Sequence, residues 1–177
     1  MPYLIALFGL VIGAYFWVQR ARMAAEATQE LAGVAQDVLA AAKRFGFRRK
    51  LNLHPVESLE DTDVAIAGAG VAFLELGGLP TAEQQDKLIA SLQSHLGSSH
   101  NKAEEAAILG RWLVAESGGA LPGFDRLTRR LHKMRGAQSF QPLMSVLKDV
   151  AAAGRDGAVS TRQREALEEI ARLYRVN

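Results

Sequence analysis

No charged side chain occurs between Met1 and Val18, and the run MPYLIALFGLVIGAYFWV stops at Gln19-Arg20-Ala21-Arg22. A helix needs about 20 apolar residues to cross a bilayer, and a run of about 18 is already a candidate. A secretory signal would open with a basic region and close on a small-residue cleavage site. Nothing basic precedes this run, and arginines follow it. A core helix of a soluble domain is expected to show a polar face, and this run shows none. Residues 1–18 therefore predict a single transmembrane helix. Lys and Arg beside a spanning helix stay on the cytoplasmic side. That rule puts a short N-terminus outside and everything after Val18 inside. Tyr15 and Trp17 fall at the inner end, where amphipathic rings favour the headgroup layer. Gly9-x-x-x-Gly13 has the spacing that lets two spanning helices approach closely. It suggests lateral contact with a second copy or with another membrane protein. The plainer alternative is the ordinary frequency of glycine in spanning helices.

The net charge of +2 hides an uneven distribution. Residues 19–50 carry seven basic side chains against three acidic ones, and the remainder carries fourteen against sixteen. The positive charge thus follows directly on the apolar run. Residues 19–50 read as a juxtamembrane amphipathic helix with a basic end. Leu31, Val34, Val38, Ala42 and Phe45 recur at three- and four-residue steps and form one apolar stripe along a helical stalk. That stripe needs a cover: the globular domain, a copy of itself, or a partner helix. In KRFGFRRK, residues 43–50, Arg44, Arg48, Arg49 and Lys50 interleave with Phe45 and Phe47, which suits an anionic headgroup surface. A solvated helix end favoured by the helix dipole is the plainer reading. Nucleic acid, which uses similar chemistry, is the least supported. LNLHPVESLE, residues 51–60, reads as a linker.

The remaining residues, 61–177, predict an all-α bundle of about six helices. Sustained apolar alternation is absent, and glycine turns cut the chain into helices near 62–77, 81–96, 100–117, 123–135, 139–153 and 160–175. Two segments echo each other at an offset of 79: FLELGGLPTAEQQDKLIASLQSHLG and AAAGRDGAVSTRQREALEEIARLYRV. Gly78 corresponds to Gly157, Thr81 to Ser160, Gln84 to Gln163 and Leu88 to Leu167. Thr81-x-x-Gln84 and Ser160-x-x-Gln163 both have the form of a capping box, a structural role.

The second segment, DGAVSTRQREALEEIARLY, resembles the TerB-like (tellurite-resistance) family. Asp156, Gly157, Ser160, Leu167, Ile170 and Ala171 carry the likeness. That family also includes the helical domain that precedes the J domain in membrane-anchored DjlA co-chaperones. The resemblance implies a helical domain over 61–177 and a cation site between two acidic turns. This chain has Gly77 and Gln84 at the acidic positions of the first turn and Gln163 beside Asp156 in the second. Divalent cations want several hard oxygens, mainly carboxylates. Only a weak site at Asp156 is left, and no cofactor is expected. No J domain follows, since His54-Pro55 continues with Val56.

With no cysteine in the chain, disulfides, thiolate metal sites and thiol catalysis are excluded. His54, His95, His100 and His132 are scattered, and no nucleophile–base set or phosphate-binding loop is visible. The helix FDRLTRRLHKMR, 124–135, presents Arg126, Arg129, Arg130 and Lys133 opposite Phe124, Leu127, Leu131 and Met134. It is either a core helix with a solvated side or a docking face for an acidic partner or anionic lipid. The expected function is that of a non-enzymatic interaction or scaffold protein of the bacterial inner membrane. It would work at the cytoplasmic face as an accessory subunit of an integral-membrane complex or as a homodimer. A metal-responsive stress sensor and a co-chaperone adaptor without a J domain are the alternatives.

Overall fold

The computed structural model describes residue 33 and residues 35–48, 52–154 and 158–175. The chain divides into two compact units, 1–37 and 38–177. The predicted spanning run, with Gly9, Gly13, Tyr15 and Trp17, lies outside the described residues, as do Leu31, Val34, Arg49, Lys50 and Asp156. Among the described residues no strand occurs, and no helix is long and apolar enough to cross a membrane.

Residues 35–44 are helical (α1). Six further α-helices follow: α2 Thr62–Leu76, α3 Ala82–Leu96, α4 His100–Glu116, α5 Ala120–Arg135, α6 Phe140–Ala152 and α7 Thr161–Arg175. The periodicity of the sequence places these six within a few residues. The largest shift is at α5, which starts at Ala120, ahead of Pro122. Proline is tolerated in a first turn, where its missing N–H has no intrahelical partner.

α2 is the axis of the bundle. Every residue from Val64 to Leu74 is buried, and α3, α4, α5, α6 and α7 all pack against it. Gly68, Gly70 and Gly110 permit this crowding. A Cβ on Gly110 would stand 2.6 Å from the Gly68 Cα, and one on Gly70 would stand 2.6 Å from a Leu88 methyl. Phe73 and Phe124 meet at 6.0 Å between ring centroids and tie α2 to α5. An all-round apolar helix is thus the centre of this domain, so the lack of a polar face in a run does not by itself indicate a membrane. Length separates the two cases: runs of about 10 to 14 apolar residues suit a buried core helix.

Two segments read from sequence as accessory are parts of the domain. In the predicted linker, Pro55–Ser58 forms a 3-10 helix, with Val56 and Leu59 fully buried. His54 caps it: its Nδ1 accepts from the Val56 N–H at 3.3 Å, which leaves Nε2 to donate to the Glu116 carbonyl at 3.2 Å. The lower part of the stalk stripe is covered by the domain itself. Ala41 is fully buried, and Val38, Ala42 and Phe45 pack on the same core.

Candidate functional site

The two repeats form a reciprocal pair. Thr81 accepts from the Gln84 N–H at 3.2 Å, and Gln84 Oε1 accepts from the Thr81 N–H at 2.9 Å. Ser160 and Gln163 do the same at 3.1 and 3.0 Å. Each glutamine then crosses to the other repeat. Gln163 Nε2 donates to the Phe73 carbonyl near the end of α2 at 2.9 Å. Gln84 Nε2 donates to the Ala153 carbonyl just past α6 at 3.3 Å. Ser160 Oγ adds a bond to the Leu76 carbonyl at 3.2 Å. Helix C-termini leave carbonyls without intrahelical partners, and these side chains satisfy three such groups. The sequence identifies the caps, but the crossings need both repeats in space.

Between the paired turns lies a cleft of about 750 Å³, lined by Leu74, Leu79, Val150 and Val159 together with Gln84 and Gln163. It is the place where the TerB-like resemblance would put a cation. The described residues do not fit one. Both glutamine oxygens already accept cap N–H groups, and both amide nitrogens donate across the cleft. A side chain at position 77 would put its Cβ 2.8 Å from the Gln163 amide nitrogen. Among the described residues no cluster of three His, Asp or Glu side chains has metal-binding placement.

A second polar group joins α3 to α6. Asp149 Oδ2 accepts from Ser91 Oγ at 2.9 Å and lies 3.0 Å from His95 Nε2. Burial pushes this carboxyl up, but the hydrogen bonds from Ser91 and His95 and the charges of His95 and Lys87 outweigh it. The group lies below the usual aspartate range. The carboxylate stands between serine and histidine, so the imidazole contacts the carboxylate and not the hydroxyl, and the order differs from the Ser–His–Asp order of an activated nucleophile. Glu75, near the end of α2, is shifted the other way: burial raises it, and Arg111 only partly opposes this.

The remaining sequence candidates divide between packing and surface. Arg44 forms an ion pair with Glu105, Nε to Oε2 at 2.7 Å. Phe45 lies beneath the Lys102 ammonium, 5.8 Å from its ring centroid, and Phe47 meets Trp112 edge-on at 5.9 Å. The two phenylalanines of the basic stretch therefore turn toward the domain, because their rings bury apolar area there. Lys43 and Arg48 are left exposed. On α5, Arg130 is committed inward: its Nε donates to the Leu59 carbonyl at 2.8 Å, and a second guanidinium N–H joins it. Arg126, Arg129 and Lys133 are exposed, and Arg129 reaches Glu169 only at 3.9 Å. The covered stalk residues Val38 and Phe45 are set apart from this face by their place in the core. Sequence reasoning missed the crossing bonds of Gln84 and Gln163 and the Ser91–Asp149–His95 group, for which no local pattern exists.

Compared with protein-family models, with curated proteins and with solved structures, the chain matches none.

Proposed function

We propose that this chain is a membrane-anchored, non-enzymatic interaction protein of the bacterial inner membrane. Residues 1–18 span the bilayer with a short N-terminus outside. The helical domain works at the cytoplasmic face as an accessory subunit of a larger integral-membrane complex, or as a homodimer joined through Gly9 and Gly13. The observation that carries this reading is the uncharged run 1–18 followed by Arg20, Arg22 and the basic residues of 43–50.

The test is a gentle purification of the full-length protein from native membranes, with co-eluting proteins identified and their ratio measured. A stoichiometric integral-membrane complex supports the accessory-subunit reading. A homodimer moves the weight to the Gly9–Gly13 face. Co-purification with an Hsp70-class protein alone favours the adaptor reading. A melting temperature that rises with calcium favours the sensor reading. Recovery in the soluble fraction overturns the anchor.

A further inference from the structure

α5 carries more positive charge at its surface than the fold uses. Pro122, Arg126, Arg129 and Lys133 are spaced by four, three and four residues, which puts them on one face of a helix. All four are exposed. Among the described residues Arg126 and Lys133 make no ion pair, and the Arg129–Glu169 contact is long, at 3.9 Å, between an exposed guanidinium and a half-buried carboxylate. Arg130, one step around the helix, is the basic side chain the fold needs, through Leu59. At the start of the same helix Leu121 is 52% exposed beside Pro122. The face thus combines an apolar tip with three solvated cations. Asp125 on the same helix is half-buried, and Glu169 on α7 is the acidic side chain that Arg129 reaches.

Arg48, from the basic stretch that follows α1, lines a hollow with Leu59 and the acidic residues Glu60 and Asp61, and Arg130 of α5 bonds the Leu59 carbonyl. Two basic stretches more than 70 residues apart in sequence therefore meet at the 58–61 turn.

We propose that the exposed face of α5, formed by Arg126, Arg129 and Lys133 with Leu121 and Pro122 at its tip, docks on anionic phospholipid headgroups of the bilayer. Charge complementarity selects this occupant. Basic side chains are held at an anionic leaflet by its surface potential, and an exposed leucine beside them inserts at the headgroup boundary. Reach is sufficient too. Sixteen residues, 19–34, separate Val18 from α1, so even a fully extended chain keeps an anchored domain within about 60 Å of the leaflet. Tethering keeps the local concentration of headgroups high, so a weak face can dock. The inference rests on the anchored reading for its geometry and concerns a surface that reading does not require.

The absence of native cysteine makes the test clean. The full chain, labelled with an environment-sensitive dye at Pro122→Cys, is reconstituted into phosphatidylcholine vesicles and into vesicles doped with phosphatidylglycerol. A label at Asp86→Cys on exposed α3 serves as the reference. The expected result is quenching of the 122 label by headgroup-region quencher lipids only in the doped vesicles, with the 86 label unchanged. Arg126→Glu, Arg129→Glu and Lys133→Glu together weaken that docking roughly a hundredfold, at about a factor of five per basic residue. Raising the ionic strength on the otherwise unaltered chain gives the same loss through screening, whatever the triple variant does to folding. Equal quenching in both lipids, or quenching indifferent to charge reversal and salt, overturns the proposal. So does a 122 label that is shielded in native membranes but never in vesicles, which points to an acidic protein partner. A chain that ignores neutral vesicles yet binds doped ones reversibly with salt removes the anchor and leaves the docking face standing.

Discussion

The two repeats share a pattern but divide the work unequally. In the first, the opening helix α2 is the buried axis of the bundle, and the helix after its turn, α3, lies outside with its cap exposed. In the second, the opening helix α6 packs from one side, and α7 brings its cap inward. Gln163 is only 7% exposed and bonds the Phe73 carbonyl, whereas its counterpart Gln84 is half-buried and reaches Ala153 at a longer distance. Leu88 is 2% exposed, and its counterpart Leu167 only partly covered. The same local chemistry therefore has different energetic weight, and burial decides which copy matters.

Truncating the paired leucines tests this most severely. Leu88→Ala should cost about 2–5 kcal/mol, the range for a buried leucine that leaves a cavity, and Leu167→Ala well under half of that. Chemical denaturation of both variants checks the ratio, and equal losses would break the asymmetry. Because a Cβ on Gly70 would enter the space of Leu88, Gly70→Ala should be far better tolerated with Leu88→Ala than alone. A double-mutant cycle measures that coupling.

The cap glutamines come next. Gln163→Ala strands the buried Phe73 carbonyl and the Ser160 N–H and should cost about 1–3 kcal/mol. Gln84→Ala loses a more exposed set and should cost about 1 kcal/mol. Gly77→Ala, whose Cβ would push the Gln163 amide away from Phe73, should cost about 1 kcal/mol and should add little once Gln163 is already alanine.

The smallest effects are electrostatic and opposite in sign in the two opening helices. Glu75 on α2 is raised in the fold, so its charged form opposes folding. The stability associated with it is present at low pH and lost as pH rises through its folded value. Glu75→Gln should therefore raise the melting temperature near neutrality by a small amount. Asp149 on α6 is lowered in the fold, so it contributes above the ordinary aspartate range and loses that contribution as pH falls through its depressed value. Ser91→Ala or His95→Gln should shrink this acid-range dependence, as followed by thermal melts across pH.

Helices were legible because an amphipathic period and a glycine turn are local signals, as the agreement over α3, α4, α6 and α7 shows. Both capping boxes were legible for the same reason, since donor and acceptor lie three residues apart. Illegible were the places where a residue's meaning depends on what faces it. Val56 and Leu59 stand in a stretch with linker composition, yet they are buried. Arg130 is one of several α5 cations, and only the nearness of Leu59 sets it apart from Arg126 and Lys133. Phe45 and Phe47 read as part of a basic, lipid-facing run, and packing on Trp112 and beneath Lys102 turned them inward.

The sequence by itself determined the all-α class, the approximate extent of α2 to α7, the repeat and its caps, because each follows from spacing along one chain. The reading of residues 1–18 as a membrane span rests on the same kind of local signal. Only the tertiary structure decided that α2 is the axis and that Gly68 and Gly110 touch. It also decided that each repeat's glutamine finishes the other's helix, and that the charges of α5 split between one inward arginine and an exposed cationic face. Those outcomes depend on which surfaces meet, and a helix's own period says which residues share a face but not what that face will find.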